Sequence, residues 1–230
     1  TLRRNGIDNI SIDLMFGFPD ENLNDWQSDI DEALSLGVQH ISAYSLMYEE
    51  GTPLFRLLNE KKIKEINEET SLKMYEMLIE SLTNNGFEHY EISNFALPGY
   101  RSKHNSSYWK QIPYLGIGAS AHSYNIVSRQ WNIADVKDYI RFVNSSSHEY
   151  IEETEHLTDT ERYNDIITTT LRTSDGIDTR TLPQRHRDFI LKASQKHIAL
   201  GNLSLDNGII RLTRQGLFIS DSIMVDLIEE

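Results

Sequence analysis

The chain has 230 residues, enough to bury a substantial core in one large domain or two small ones, and a formal net charge of −13. That acidic balance excludes a nucleic-acid-binding surface, which needs clustered Lys and Arg to neutralise phosphate, and it is ordinary for a soluble cytoplasmic protein, the location expected here. With no cysteine, disulfides, a thiolate nucleophile and a protein-ligated iron–sulfur cluster are excluded within these residues, and no run approaches the roughly 20 apolar residues that span a bilayer.

The chain opens Thr1-Leu2-Arg3-Arg4-Asn5-Gly6, without Met or a signal peptide. Asn5-Gly6 reads as the end of a helix whose start lies upstream, so an internal or C-terminal portion of a longer protein is expected. Residues 9–16 (NISIDLMF) are β-branched at their start and mostly apolar, which predicts a buried parallel strand ended by Gly17-Phe18-Pro19. Asn24 with Gln27 makes a capping box for a helix to Leu36, stopped by Gly37. Residues 38–46 (VQHISAYSL) predict a second buried strand, and Thr52-Pro53 an N-cap with Pro at the first helical position. Asn67 starts a long helix to Asn85-Gly86, and residues 87–95 (FEHYEISNF) predict a third strand. Strand–helix alternation of this kind implies parallel β/α units with right-handed crossovers.

Residues 96–112 are polar, carry Pro98-Gly99 and have loop character. Asn132 can cap a short helix to about Asn144, and Ser145-Ser146-Ser147 reads as a linker. Thr158 with Glu161 is a capping box for a helix to Leu171, followed by two short helices between Thr179 and Leu200. Asp206-Asn207-Gly208 inside residues 203–212 is a strong hairpin signal, and a last helix is expected over residues 216–228. Helices followed by a hairpin and a helix suggest a small winged-helix-like domain.

Three groups of residues could carry chemistry. Asp13 is a carboxylate inside an apolar strand, costly to bury unless it is hydrogen-bonded or faces out at the strand's C-terminal end, where α/β folds bind ligands; it contacts a ligand or caps a loop. Tyr44, Ser45, Met47 and Glu49 follow at the same end of the second strand, and Tyr44 with Met47 could wall an adenine ring or simply pack the core. His104-Asn105-Ser106-Ser107-Tyr108-Trp109 sets an imidazole, an amide and two large aromatics just ahead of Leu115-Gly116-Ile117-Gly118. An imidazole beside flat apolar rings suits haem, while a hydrogen-bonded loop histidine, exposed to solvent, is the plainer reading. Gly116 and Gly118 would let a backbone approach a ligand, although the third glycine of a dinucleotide fingerprint is missing. The remaining histidines lack zinc-site spacing, and no G-x-S-x-G or Walker loop appears.

Together these segments resemble radical S-adenosylmethionine (SAM) proteins of the oxygen-independent coproporphyrinogen III oxidase group. The residues that carry the resemblance are Ile12 to Pro19, Ile41 to Leu46, Gly51-Thr52-Pro53, Tyr90 to Ala96, Tyr114 to Ala119, Leu171-Arg172-Thr173, Gly176-Ile177-Asp178 and Leu212 to Leu217. His104-Asn105-x-x-Tyr108-Trp109 resembles the motif of the haem-chaperone (HemW) branch. The resemblance implies an α/β fold: the later β/α units of a partial TIM-like barrel with a haem-motif loop over residues 1–130, a connecting segment over 131–157, and a HemN-type winged-helix-like domain over 158–230. It implies that Asp13 binds the SAM ribose, that Met15, Tyr44 and Met47 border the adenine, that Gly116 and Gly118 belong to the binding loop, and that His104, with Asn105, Tyr108 and Trp109, contacts haem and its iron. It implies SAM, a [4Fe–4S] cluster and haem as cofactors, delivery of haem to an acceptor protein, membrane contact only through that acceptor, and, as the alternative activity, oxidative decarboxylation of coproporphyrinogen III. The family's CxxxCxxC motif is absent, so this portion alone is expected to be catalytically inactive and to expose an apolar barrel edge.

Overall fold

The computed structural model describes residues 1–145 and 152–230. It is of mixed α/β class and divides into two compact units, Thr1–Ser102 and Lys103–Glu230. The domain limits at 130 and 158 are limits of resemblance and remain proposals; the expected linker at Ser146-Ser147 lies outside the described residues.

The first unit is built on one four-stranded sheet. Strand β1 (Ser11–Phe16) leads into α1 (Leu23–Ser35), β2 (His40–Ser45), α2 (Pro53–Asn59), α3 (Glu68–Asn84), β3 (Glu88–Glu91) and β4 (Asn94–Ala96). Thr52 and Asn67 cap α2 and α3 as their sequence signals require. The capping box of α1 belongs to Asn22 and Asp25 rather than Asn24 and Gln27: the Asn22 side chain accepts from the amides of Asn24 and Asp25. The apolar stripe of α3 (Met74, Leu78, Leu82) is fully buried, and Trp26 of α1 donates from Nε1 to the Met74 carbonyl at 2.9 Å.

The strand order is β1-β2-β4-β3, with β1 parallel to β2 but β4 antiparallel to both β2 and β3. The expectation of a single parallel third strand is therefore corrected: residues 88–96 form a bulged hairpin. Its turn has no Gly or Pro to announce it. The Glu91 carboxylate closes it instead, accepting from the Ser93 amide at 2.9 Å and from Asn94 Nδ2 at 2.6 Å. Burial of β1 on both faces is also corrected. It is an edge strand whose Ser11, Asp13 and Met15 are exposed, while Phe16 is buried against Trp26.

The second unit contains α4 (Lys103–Trp109), β5 (His122–Tyr124), β6 (Ser128–Asn132), α5 (Val136–Val143), β7 (Glu152–His156), α6 (Asp159–Thr170), β8 (Ile177–Asp178), α7 (Gln184–Ala193), α8 (Gln195–Ala199), β9 (Leu203–Asp206), β10 (Ile209–Leu212), α9 (Arg214–Leu217) and α10 (Ser220–Leu227). Two antiparallel three-stranded sheets result, β5-β6-β7 and β8-β10-β9. The Thr158–Glu161 capping box and the Asn207-Gly208 hairpin form as read from the sequence. The expected last helix is broken into α9 and α10. Asp135 caps α5, because Asn132 is engaged elsewhere, donating to the Gly118 carbonyl at 2.8 Å.

The loop expected over 96–112 is corrected by helix α4. Asn105, Ser106 and Ser107 are poor helix formers, so its support is tertiary. Thr170 Oγ1 of α6 donates to the Trp109 carbonyl at 3.1 Å, and Ser107 Oγ closes back on the Lys103 carbonyl at 2.8 Å. Tyr163 of α6 anchors the other end of this unit: it is buried, stacks on His186 at 4.7 Å and donates to the Leu227 carbonyl at 2.9 Å.

Leu78→Ala should cost ~2–5 kcal/mol in urea unfolding, by loss of buried side chain and the cavity left behind. Tyr163→Phe, which removes one buried hydrogen bond and little volume, should cost about 1 kcal/mol in the same measurement.

Candidate functional site

In the first unit the parallel register sorts side chains by face. Ile12 pairs with Ile41, Leu14 with Ala43, and Phe16 with Ser45; these point toward α1 and α3. The opposite face reads Ser11 beside His40, Asp13 beside Ser42 beside Asn94, and Met15 beside Tyr44. Asp13 is exposed, Met15 and Tyr44 keep 46% and 43% of their surface, and Met47, just past β2, keeps 72%. Asp13, Met15 and Tyr44 thus share one open face at the C-terminal ends of β1 and β2.

Deeper on that face the side chains are locked. His40 is buried between Ser11 Oγ, 2.8 Å from Nδ1, and the Tyr90 hydroxyl, 2.7 Å from Nε2. The Tyr90 oxygen accepts from the Ser102 amide at 3.2 Å, so its own proton can go to Nε2, leaving Nδ1–H to donate to Ser11. Burial lowers the His40 pKa below its ordinary 6.5, against the opposing pull of the Asp13 carboxylate. Burial likewise raises the Tyr90 pKa. Asn94 is oriented by Glu91, which must receive Nδ2, and its Oδ1 is a buried acceptor with no hydrogen-bond partner among the described residues. Sequence reasoning read residues 38–46 as a buried strand, and His40 to Ala43 are buried, but it did not single out His40, Ser42, Glu91 or Asn94, the buried polar residues of that strand and the hairpin beside it.

In the second unit, His104 and Tyr108 lie one turn apart on an exposed face of α4, with Tyr108 Oη 3.2 Å from His104 Nε2. The Tyr108 ring meets Tyr114 edge to face at 4.9 Å, and Tyr114 packs on Tyr124 at 6.1 Å. Burial and the neighbouring Tyr108 raise the Tyr114 pKa. Asn105 and Trp109 sit on the half-buried side of the same helix.

Gly116 is pinned by the backbone of His122, and Gly118 by the side chains of Tyr139 and Asn132. A Cβ on Gly116 would fall 2.1 Å from the His122 carbonyl oxygen, and Gly118, at φ +115°, donates its amide to the Tyr139 hydroxyl at 3.1 Å. The structure therefore brings together His104, Tyr108 and Tyr114. Among the described residues no group of three or more His, Asp or Glu is placed to hold a metal ion.

Residues 157–219 match the family model of the HemN C-terminal domain. Over 225 residues the chain is 32% identical to the heme chaperone HemW of Bacillus subtilis, covering 96% of this chain and 59% of that protein. It is 36% identical over 140 residues to the heme chaperone HemW of Lactococcus lactis, covering 61% of this chain and 37% of that one. These matches support a HemN-like radical SAM family, HemW branch, for this partial chain. The fold agrees: the solved structure of coproporphyrinogen III oxidase (HemN) from Escherichia coli, a radical SAM enzyme, superposes with a TM-score of 0.71 at 18% identity, over 98% of this chain and 56% of that one. The chain spans little more than half the length of the curated relatives that it matches over most of its own length.

Because folding depresses the His40 pKa, the unfolded chain takes up the proton more readily, and stability should be lost as pH falls below about 6.5. His40→Gln should flatten that limb in urea midpoints measured from pH 8 to 5. Gly116→Ala should destabilise the second unit by more than about 1 kcal/mol, because the new Cβ must displace the His122 backbone.

Proposed function

We propose that this chain is the haem-carrying part of a HemW-type haem chaperone, with haem as its cargo and His104 as the side chain that reaches the iron. The observation that carries the reading is an exposed imidazole on α4, flanked by the half-exposed ring of Tyr108 and backed by Tyr114, in a family whose similar members bear the name heme chaperone. A neutral imidazole offers one lone pair to iron, and flat apolar rings beside it give a macrocycle surface to lie against. Asn105 and Trp109, on the half-buried side of α4, and Gly116 and Gly118 would complete the proposed site.

The open face of the first sheet fits the adenosyl end of SAM. The exposed Asp13 carboxylate can accept from a ribose diol, and the neighbouring Met15 and Tyr44 offer an apolar wall to adenine, with Met47 beyond them. SAM, when bound, supplies that adenosyl group on a sulfonium. A [4Fe–4S] cluster does not fit these residues, since the chain has no cysteine, and no step is drawn through one. The coproporphyrinogen oxidase alternative gains nothing from the shared fold, which carries no activity at 18% identity.

Delivery would be to an acceptor protein, with any membrane contact made through it; among the described residues no helix is long and apolar enough to cross a membrane. Cytoplasmic location is part of the same proposal.

Titration of the full chain with haemin should shift and sharpen the Soret band to a saturating end point. His104→Ala should weaken binding by at least about tenfold, the scale on which even residues behind a metal ligand act. Absence of binding, or binding indifferent to that substitution, would remove the haem assignment.

A further inference from the structure

The nitrogen that iron needs is already engaged. A porphyrin takes an imidazole through Nε2, because Nδ1 is bonded to Cγ, the ring carbon that carries the side-chain stem, and that stem would strike the macrocycle. In this structure the Tyr108 hydroxyl lies 3.2 Å from His104 Nε2. If Nε2 is the bare nitrogen, the phenol donates to its lone pair; if Nε2 carries the proton, it donates to the phenol oxygen and has no lone pair to give. In both tautomers this contact must break before Nε2 can bind iron.

Tyr108 is not placed there by its own rotamer alone. Its ring meets the His104 ring edge to face with centroids 5.0 Å apart, and Tyr114 edge to face at 4.9 Å. Tyr114 in turn exchanges two backbone hydrogen bonds with Tyr124, both 2.9 Å. Pressed between His104 and Tyr114, the phenol is presented to the imidazole by the strand segment behind it.

We propose that Tyr108 is a latch on the iron ligand: its hydroxyl holds His104 Nε2 in the unloaded protein and returns to it as haem leaves. This rests on the haem reading above and adds a positioning role to it. The intrinsic affinity is multiplied by the fraction of molecules with Nε2 uncovered, and so is lowered by the latch. A neutral side-chain hydrogen bond of this kind is worth about a two- to tenfold factor. A carrier that must surrender its cargo benefits from such a competitor, because the latch lowers the cost of breaking the iron–nitrogen bond.

The test is a set of four haemin titrations on the full chain: unsubstituted, Tyr108→Phe, His104→Ala and the double variant. Tyr108→Phe should bind about two- to tenfold more tightly than the unsubstituted chain, with the Soret band of the complex unmoved because the iron ligand is the same. The double variant should bind no more tightly than His104→Ala, since the latch acts only through that imidazole. Equal or weaker binding by Tyr108→Phe, a displaced Soret band, or an equal gain in the His104→Ala background would overturn the latch while leaving the haem reading intact. Failure of the unsubstituted chain to bind haemin would remove the haem reading and the latch with it.

Discussion

The parallel register of β1 on β2 decides what the first unit can present. With Ile12 opposite Ile41 and Leu14 opposite Ala43, one face packs beneath α1 and α3, where Trp26, Met74 and Leu78 complete the core. Every second residue is then forced onto the other face, which no helix of the unit covers at Asp13, Met15 and Tyr44. A slip of one residue would bury Asp13 among Phe16, Trp26 and Tyr75 and expose the core set instead. The open carboxylate and the buried His40 are consequences of the same choice. His40 survives burial because Ser11 and Tyr90 satisfy both ring nitrogens.

In the second unit the corresponding constraint is the approach of Gly116 to the His122 carbonyl. It lets the segment after Tyr114 run against β5 without a side chain between them, which sets Tyr114 where Tyr108 can meet it. Helix α4 has little intrinsic tendency to form. It is held by the Thr170 hydroxyl on the Trp109 carbonyl at one end and by the aromatic contacts at the other.

Much of this organisation was legible in residue order. Thr52-Pro53, Asn67, Thr158 with Glu161, and Asn207-Gly208 act locally, through caps and turns, and each does what its chemistry requires. The misses share a cause: the deciding partner is distant or unconventional. The hairpin over 88–96 turns at Ile92-Ser93, stabilised by the Glu91 carboxylate instead of Gly or Pro. Helix α4 reads as a loop because Asn-Ser-Ser favours one, and its supports, Thr170 and Tyr114, lie outside the segment. Asn132 looks like a cap, yet the Gly118 carbonyl claims it. The motif over residues 104–109 was legible as a pattern of side chains, but not as a helix that puts the Tyr108 hydroxyl on the very nitrogen of interest.

The central claim is that His104 supplies the iron ligand. Resonance Raman spectroscopy of the ferrous haem complex of the full chain tests it most directly, through the iron–histidine stretching band. The account predicts that band in the unsubstituted chain and its loss in His104→Ala. An unchanged band in the His104→Ala complex would contradict it.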